Sequence, residues 1–391
     1  MKCKQIHLTN WKNFGNVTQE LTDRVFVIGA NAAGKSNFLD AFRFLKDVAN
    51  NGLQKAVNTR GGISKIRNLN ARSPSYIEIS VQLIDDSDGE NDSTIWEYLL
   101  QFNAAGGKTD SRDVNISLEK IIKNGILIKE RKYSDEGEDY LSRQFTLLEQ
   151  PASNNKFRPI YEFFKSVSYV NIIPQLIREA DSFIPSNSTE DYYGRSLLET
   201  ISAASEKTRN SRLSIINRIL KMAVPQFSDL KFVKDNKGKP HLQVKYHHFR
   251  PKGAYQKEDQ FSDGTLRLLG LIWAILDGDG LMLLEEPELY LHSAIVQQLP
   301  TFIANAQKRR KKKRQVIISS HSFDLLNSDT IAAEEILVLE QNSEDTSIKS
   351  AGEVAAIVAK LKAGYTPADA VIPQVIPQGI RDGQLSLFDF S

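Results

Sequence analysis

The chain has 391 residues, 41% hydrophobic and 25% charged, with a formal net charge of +2. That size fits two or three ordinary domains or one large domain with insertions, and the near-neutral balance excludes a global field drawing the protein onto nucleic acid or an acidic membrane. A single cysteine, Cys3, excludes an internal disulfide framework and a cysteine-based zinc site. The N-terminal MKCKQIHLTNWKNF lacks the apolar core of a signal peptide and no apolar run approaches the ~18 residues of a membrane span, so the expected setting is the cytoplasm without a membrane partner.

Taken in order, KQIHL (4–8) reads as a short strand and WKNFGNVTQEL (11–21) as strand and turn. RVFVIG (24–29) is a buried strand, and KSNFLDAFRFLKDVAN (35–50) places Phe38, Leu39, Phe42, Phe44 and Leu45 on one helix face. SYIEISVQLI (75–84) and TIWEYLLQFN (94–103) alternate as paired antiparallel strands, and SLEKII and GILIKER (117–131) add more. From about 135 to 165 the chain turns polar; KSVSYVNII (165–173) returns as strand, 181–194 as loop, and 196–223 as one or two helices. DLKFV (229–233) and HLQVKYHHF (241–249) form a hairpin. The last third predicts helix 264–277, strand 281–285, helix 288–307, strand 315–319, helix 322–327 and strand 335–341. No internal repeat and no long heptad run appears.

Gly29-x-x-x-x-Gly34-Lys35-Ser36 is a phosphate-loop pattern lying between a predicted strand and a predicted helix, the context that supports it. Backbone N–H groups and the helix N-terminus suit a phosphate, Lys35 suits the β- and γ-phosphates, and the Ser36 hydroxyl suits Mg²⁺. The pattern says nucleotide without choosing a class of nucleotide enzyme. In GLMLLEEPELYLH (280–292) a buried strand ends on two carboxylates. Strand neighbours point opposite ways, so Glu285 suits the metal and Glu286 the water attacking the γ-phosphate.

Two further stretches narrow the class. Phe261-Ser262-Asp263-Gly264-Thr265 opens an apolar helix, and VIISSHS (316–322) ends a buried strand on His321. With the phosphate loop and the glutamate strand, these four motifs in this order resemble the ABC-type ATPase head: signature motif at 261–265, Walker B strand at 281–286, D-loop at 289–293 and switch histidine at His321. The likeness is firm over the first 50 residues and about 260–325. IHLTNWKNFGN and EEPELYLH resemble the RecF/SMC/OLD branch; transporter ATPases usually place aspartate where Glu285 sits, and glutamate is common there in OLD-like and related defence ATPases. Alanine stands at residue 32 where many relatives have glycine.

The resemblance implies an α/β fold: an ABC-ATPase head with a P-loop core sheet, an antiparallel β subdomain and an inserted helical segment. It divides the chain into 1–135 and 229–345 as the two parts of the head, 136–228 as a strand and helical insertion, and 346–391 as a C-terminal extension and tail. It implies ATP and Mg²⁺ as cofactors, bound by Gly29, Asn31, Gly34, Lys35, Ser36 and Asn37. Two heads would sandwich two nucleotides, with Ser262 and Gly264 of one copy meeting the γ-phosphate held by the other. Glu286 and His321 would be catalytic, with Ser36, Glu285 and a glutamine, Gln175 or less favourably Gln82, at the metal. About 65 residues follow the helix after His321, too few for the nuclease domain of OLD proteins, and the long SMC coiled coil is absent. The reading is therefore an ATPase subunit serving as sensor or scaffold in antiphage defence, with a separately encoded effector. The alternatives are a RecF-like ATPase acting directly on DNA and a nucleotide-gated scaffold with negligible turnover.

Two features stay outside the head motifs. Lys308, Arg309, Arg310, Lys311, Lys312, Lys313 and Arg314 form a basic run that suits a phosphate backbone or a solvated loop. Gln384–Phe388 resembles the pentapeptide that docks bacterial proteins on the polymerase sliding clamp, but five residues arise easily by chance and suit better a tail packed on its own domain or a partner subunit. His247 and His248 neighbour each other in a strand, a poor geometry for a shared metal.

Overall fold

The computed structural model describes residues 1–72, 74–85, 93–105, 113–132, 141–152, 154–179, 191–247, 254–310, 313–342 and 344–376, in two compact units. The chain builds β1 (Lys2–Trp11), β2 (Phe14–Glu20), β3 (Arg24–Gly29), α1 (Lys35–Asn51), α2 (Leu53–Asn58), α3 (Ile63–Ile66), β4 (Ile77–Asp85), β5 (Thr94–Ala104), β6 (Val114–Lys123), β7 (Ile126–Lys132) and α4 (Arg158–Ser166) in the first unit. It enters the second at Ser168 with β8 (Ser168–Val170), α5 (Pro174–Arg178), α6 (Leu197–Ala203), α7 (Glu206–Ala223), β9 (Phe227–Lys234), β10 (Pro240–Tyr246), β11 (Ala254–Lys257) and α8 (Asp263–Leu276). Residues 279–283 return to the first unit, carrying the start of β12 (Met282–Glu285), and 284–309 belong to the second, with α9 (Ser293–Val296) and α10 (Leu299–Lys308). From Arg310 the first unit is completed by β13 (Val316–Ser320), α11 (Phe323–Leu326), β14 (Ile336–Gln341), β15 (Thr346–Ser350), α12 (Ala355–Lys362) and α13 (Pro367–Val375).

In the first unit, an antiparallel sheet runs in the order β2-β1-β4-β5-β6-β7. Its alternating residues turn one face inward, as at Trp96, Tyr98, Leu100 and Phe102 along β5. The aromatic positions of α1 meet that face. Phe44 lies 5.1 Å from Trp11 and 5.4 Å from Phe102, and Phe38 lies 6.3 Å from Phe14. A second sheet places β3 between β13 and β14, parallel to both, with β15 antiparallel beyond β14. Every residue of β3 is buried, which is why its sequence reads as an unbroken apolar run rather than an alternation. Gln315 ties the sheets together. Its Oε1 accepts from Cys3 N (2.9 Å), its Nε2 donates to Cys3 O (2.7 Å) and Thr22 O (2.9 Å), and its carbonyl accepts from Met282 N (2.9 Å). Burial pushes the Cys3 thiol far up, so it is a core residue and not a nucleophile.

In the second unit, the three-stranded sheet β11-β10-β9 shares one apolar core with α6, α7 and α8. Leu213, Ile216 and Leu220 of α7 and Leu266, Leu269 and Trp273 of α8 are among its buried members. Ser205 caps α7 by accepting from Thr208 N.

Several expectations change. The predicted helix over 288–307 begins only at Ser293, because Tyr290 (φ 63) adopts left-handed backbone that a helix cannot contain, and it is broken into α9 and α10 where Pro300 enters the first turn of the second. The predicted strand over 165–173 shrinks to β8, and the polar stretch before it holds α4, whose Ile160, Phe163 and Phe164 are buried. The hairpin at 229–249 gains a third strand, β11, and β15, α12 and α13 extend the first unit beyond 345. Among the described residues no helix is long and apolar enough to cross a membrane.

Candidate functional site

In the first unit, β3 ends at Gly29 and α1 begins at Lys35, and the loop between them curls over the helix N-terminus. Gly34 caps α1 at φ 101 with no side-chain cap, and a Cβ there would collide with the Asn13 amide. A Cβ on Gly29 would meet Leu339 Cβ at 3.0 Å and Ala33 Cβ at 3.1 Å, so close approach favours glycine at 29, while backbone angle favours it at 34. Ala32 takes φ 65, the conformation for which glycine is the ordinary choice. Lys35 is buried inside the curve, its Nζ donating to Gly29 O (3.0 Å) and Ala30 O (3.1 Å). Ser36 and Asn31 are exposed at the mouth.

Asn37 faces inward toward a residue the sequence reading did not single out. Its Nδ2 donates to Asn13 Oδ1 (2.7 Å), while Asn13 Nδ2 donates to Ala33 O (3.1 Å) and Thr346 Oγ1 (2.7 Å). Thr346 N in turn donates to Asn13 O (2.9 Å), and Trp11 Nε1 donates to Asn37 O (2.9 Å). The turn between β1 and β2 thus clamps the phosphate loop. Glycines at fixed spacing mark the loop itself; nothing local to Asn13 marks its clamp. Beneath α1, Asp40 accepts from Arg60 (2.9 and 3.0 Å) and pairs with Lys12 (2.6 Å). Burial pushes the Asp40 carboxyl up, but the two cations outweigh it and hold it at about 2.

His321 belongs to the same unit. Strand β13 pairs with β3 in parallel, Ser320 opposite Ile28, so the phosphate loop and His321 leave neighbouring strands at their carboxyl ends, where α/β sheets bind ligands. His321 is exposed, and Ser322 behind it caps α11 by accepting from Leu325 N (3.2 Å).

In the second unit, Ser262 is exposed and caps α8, accepting from Thr265 N (3.3 Å). Asp263 is gripped by Gln175 Nε2 (2.9 Å) and Arg178 Nη2 (2.7 Å), and Arg178 also donates to Phe261 O (2.8 Å). Gln175, the glutamine expected at the metal, uses its amide nitrogen to fix the turn that opens α8. Gln82 sits mid-strand in β4, paired with Gln5 and Glu97. Gly264 abuts the next segment, since a Cβ on it would meet Tyr290 O at 2.7 Å. Glu285 ends β12, and Glu286 follows in left-handed backbone with its carbonyl accepting from Arg267 Nη2 (2.6 Å).

The basic run needs a correction at its end. Arg314 is buried and donates Nε to Gly280 O (2.7 Å), so it is a structural residue and not a surface phosphate contact. Arg310 pairs with Asp279 (2.9 Å), while Lys308, Arg309 and Lys313 are exposed. Lys311, Lys312, His248 and Gln384–Phe388 lie outside the described residues.

The donor set fits a magnesium nucleotide. Glycines clear a cradle, a lysine ammonium sits inside it, and the Ser36 hydroxyl at the mouth is a hard oxygen ligand. No group of three metal-ligating His, Cys, Asp or Glu side chains stands among the described residues.

Residues 24–328 match the family model described as "AAA domain, putative AbiEii toxin, Type IV TA system". No curated protein sequence matches the chain. Among solved structures, the chain is similar to an SMC head bound to the C-winged helix domain of ScpA, at 15% identity and TM-score 0.52, covering 89% of this chain and 97% of that one. It is also similar to the Smc head with an extended coiled coil bound to the C-terminal domain of ScpA derived from Pyrococcus furiosus, at 12% identity and TM-score 0.51, covering 92% and 99%. At such identities the likeness is one of fold, that of an ABC-type ATPase head.

Proposed function

Because the chain belongs to this AAA-domain family, we propose that it is a Mg²⁺-dependent ATP hydrolase working as a head-to-head pair. The observation that carries the reading is the phosphate loop, with its two sterically required glycines and Lys35 held inside the curve. In this reading Lys35 and the backbone of 29–36 bind the β- and γ-phosphates, with Asn31 and Asn37 supporting them. Ser36 would hold the metal, which would supply charge neutralisation across the phosphates; Glu285 and the side-chain oxygen of Gln175 are the further ligands that the resemblance implies. Glu286 takes the proton of the attacking water, and His321 contacts the γ-phosphate. Ser262 and Gly264 act on the nucleotide held by a second copy; the exposure of Ser262 supports this. A two-fold pair completes both sites at once.

We assign the ATPase to antiphage defence, as a sensor or scaffold acting through a separately encoded effector. The family description, which names a toxin of a toxin–antitoxin system, supports a protein whose effect depends on a partner. The SMC heads of similar fold are seen with a separate protein, ScpA. Direct DNA binding draws less support, since Arg314 and Arg310 of the basic run are engaged within the chain.

Light scattering of Glu286→Gln tests the pairing. ATP with Mg²⁺ should double the mass, and Ser262→Arg should prevent it. A mass unchanged by ATP, or a doubling that survives Ser262→Arg, would refute the head-to-head site.

A further inference from the structure

Helix α8 is apolar along most of its length, yet Arg267 sits in its second turn at 2% exposure. Its guanidinium meets no carboxylate oxygen at salt-bridge distance among the described residues; instead Nη1 donates to Ile172 O and Nη2 to Glu286 O (2.6 Å), and Nε is buried without a hydrogen-bond partner. The guanidinium also lies 5.7 Å from the Tyr290 ring centroid. Burying a cation against carbonyls costs several kcal/mol that a leucine there would not. Burial accordingly lowers its proton affinity, opposed by Glu288, Tyr290 and Glu286.

Its two partners that follow α8 in sequence are in unusual backbone. Glu286 and Tyr290 are non-glycine residues at φ 41 and φ 63, conformations that persist only where surroundings impose them. Helix α8 imposes them at three points: Gly264 against Tyr290 O, Arg267 on Glu286 O, and the guanidinium over the Tyr290 ring. The Glu286 carbonyl also accepts from Leu289 N (3.2 Å), and Leu291 N donates to Glu288 O (3.0 Å), so the turn moves as one piece.

We propose that Arg267 is a positioning residue that passes the state of the signature turn at Ser262 to Glu286 of the same subunit. This rests on the reading that Ser262 engages a nucleotide on a second copy and that Glu286 is the hydrolytic base. Engagement at Ser262 shifts the first turns of a rigid helix. Arg267 carries that shift to the Glu286 carbonyl, and with it to the direction of the carboxylate. Each head then hydrolyses only after its own signature turn has found the partner's nucleotide, which couples the two sites. By linkage, the set of Glu286 also biases engagement at Ser262.

The test compares ATP turnover in wild type, Ser262→Ala, Arg267→Met and the double variant, with ATP affinity and thermal midpoint measured for each. We expect Arg267→Met to lower kcat on the order of 100-fold, the size of a misplaced catalytic group, with ATP affinity within about threefold of wild type. Arg267→Lys, which keeps one donor, should recover part of the loss. The two single losses should not multiply in the double variant, because both break one relay. Multiplicative losses, or wild-type turnover in a folded Arg267→Met, would overturn the relay while leaving the ATPase reading standing. Absence of turnover in wild type would overturn both. Should Arg267→Met not fold, hydrogen exchange with Arg267 intact decides: on ATP binding to Glu286→Gln, the Leu289 and Leu291 amides should slow, and Ser262→Arg should abolish the slowing. Exchange that ignores Ser262 would overturn the proposal.

Discussion

Asn13 Nδ2 donates to the carbonyl of Ala33 across 3.1 Å, so a turn between two antiparallel strands holds the phosphate loop closed over its helix. Asn13→Ala removes that bond and those to Thr346 and Asn37. We expect a loss of about 2 kcal/mol in stability, from leaving partly buried groups unpaired, and ATP binding weakened about tenfold by calorimetry. Thr346→Val, which spares the Ala33 bond, should cost less in both. Unchanged ATP affinity in Asn13→Ala would show that the clamp does not shape the loop.

Ala32 occupies φ 65 in the same loop. Ala32→Gly relieves a left-handed alanine, about 1 kcal/mol, against the added freedom of the unfolded chain. We expect a small gain in thermal midpoint and ATP affinity unchanged within about threefold. A marked fall in stability would show that the alanine methyl packs usefully.

Asp40 is held at about 2 by Arg60 and Lys12 despite burial, below its ordinary 3.8. Its folded value is depressed, so its contribution, about 2 kcal/mol, is present above pH 3.8 and lost as pH falls through 2. Asp40→Asn strands a buried guanidinium that, among the described residues, keeps Asp47 (2.8 Å) as its acidic partner, and should cost roughly 3 kcal/mol in urea unfolding at pH 7. A cost under about 0.5 kcal/mol, the scale of an exposed pair, would refute the role.

Glu119 behaves oppositely. It is fully buried in the antiparallel sheet, accepting from Tyr98 Oη (3.0 Å) and Leu147 N (2.8 Å), and burial pushes it from 4.5 to about 7. Its folded value is raised, so its stability is complete below pH 4.5 and is lost as pH rises through 7, by about 3 kcal/mol in full. Wild type should therefore melt higher at pH 5.5 than at pH 8 on this account. Glu119→Gln should flatten that difference, the Tyr98 hydroxyl turning to accept. An undiminished slope in the variant would assign it to other groups.

The legible parts of this chain are those whose cause is local. The β3 run is apolar because parallel strands are buried on both faces, and α8 is apolar because almost its whole circumference lies in a core. The phosphate loop is legible because its glycines are required by close approach. The predicted helix over 288–307 carries Leu291, Ile295, Leu299 and Phe302 at helical spacing, but the backbone of Glu286 and Tyr290 is held by Arg267 and Gly264, about twenty residues earlier, and periodicity cannot report it. Asn13 finds partners 20, 24 and 333 residues away, beyond any local pattern. Arg314 shows the same limit, for a basic run read as surface conceals one member buried against Gly280.

Steady-state ATP hydrolysis by wild type and Glu286→Gln, with ATP binding measured in parallel, tests the central claim most directly. We expect turnover in wild type that requires Mg²⁺, a fall of at least about 100-fold in the variant, as for loss of a general base, and ATP binding retained through Lys35. Equal turnover in the two proteins, or none in wild type, would contradict the account.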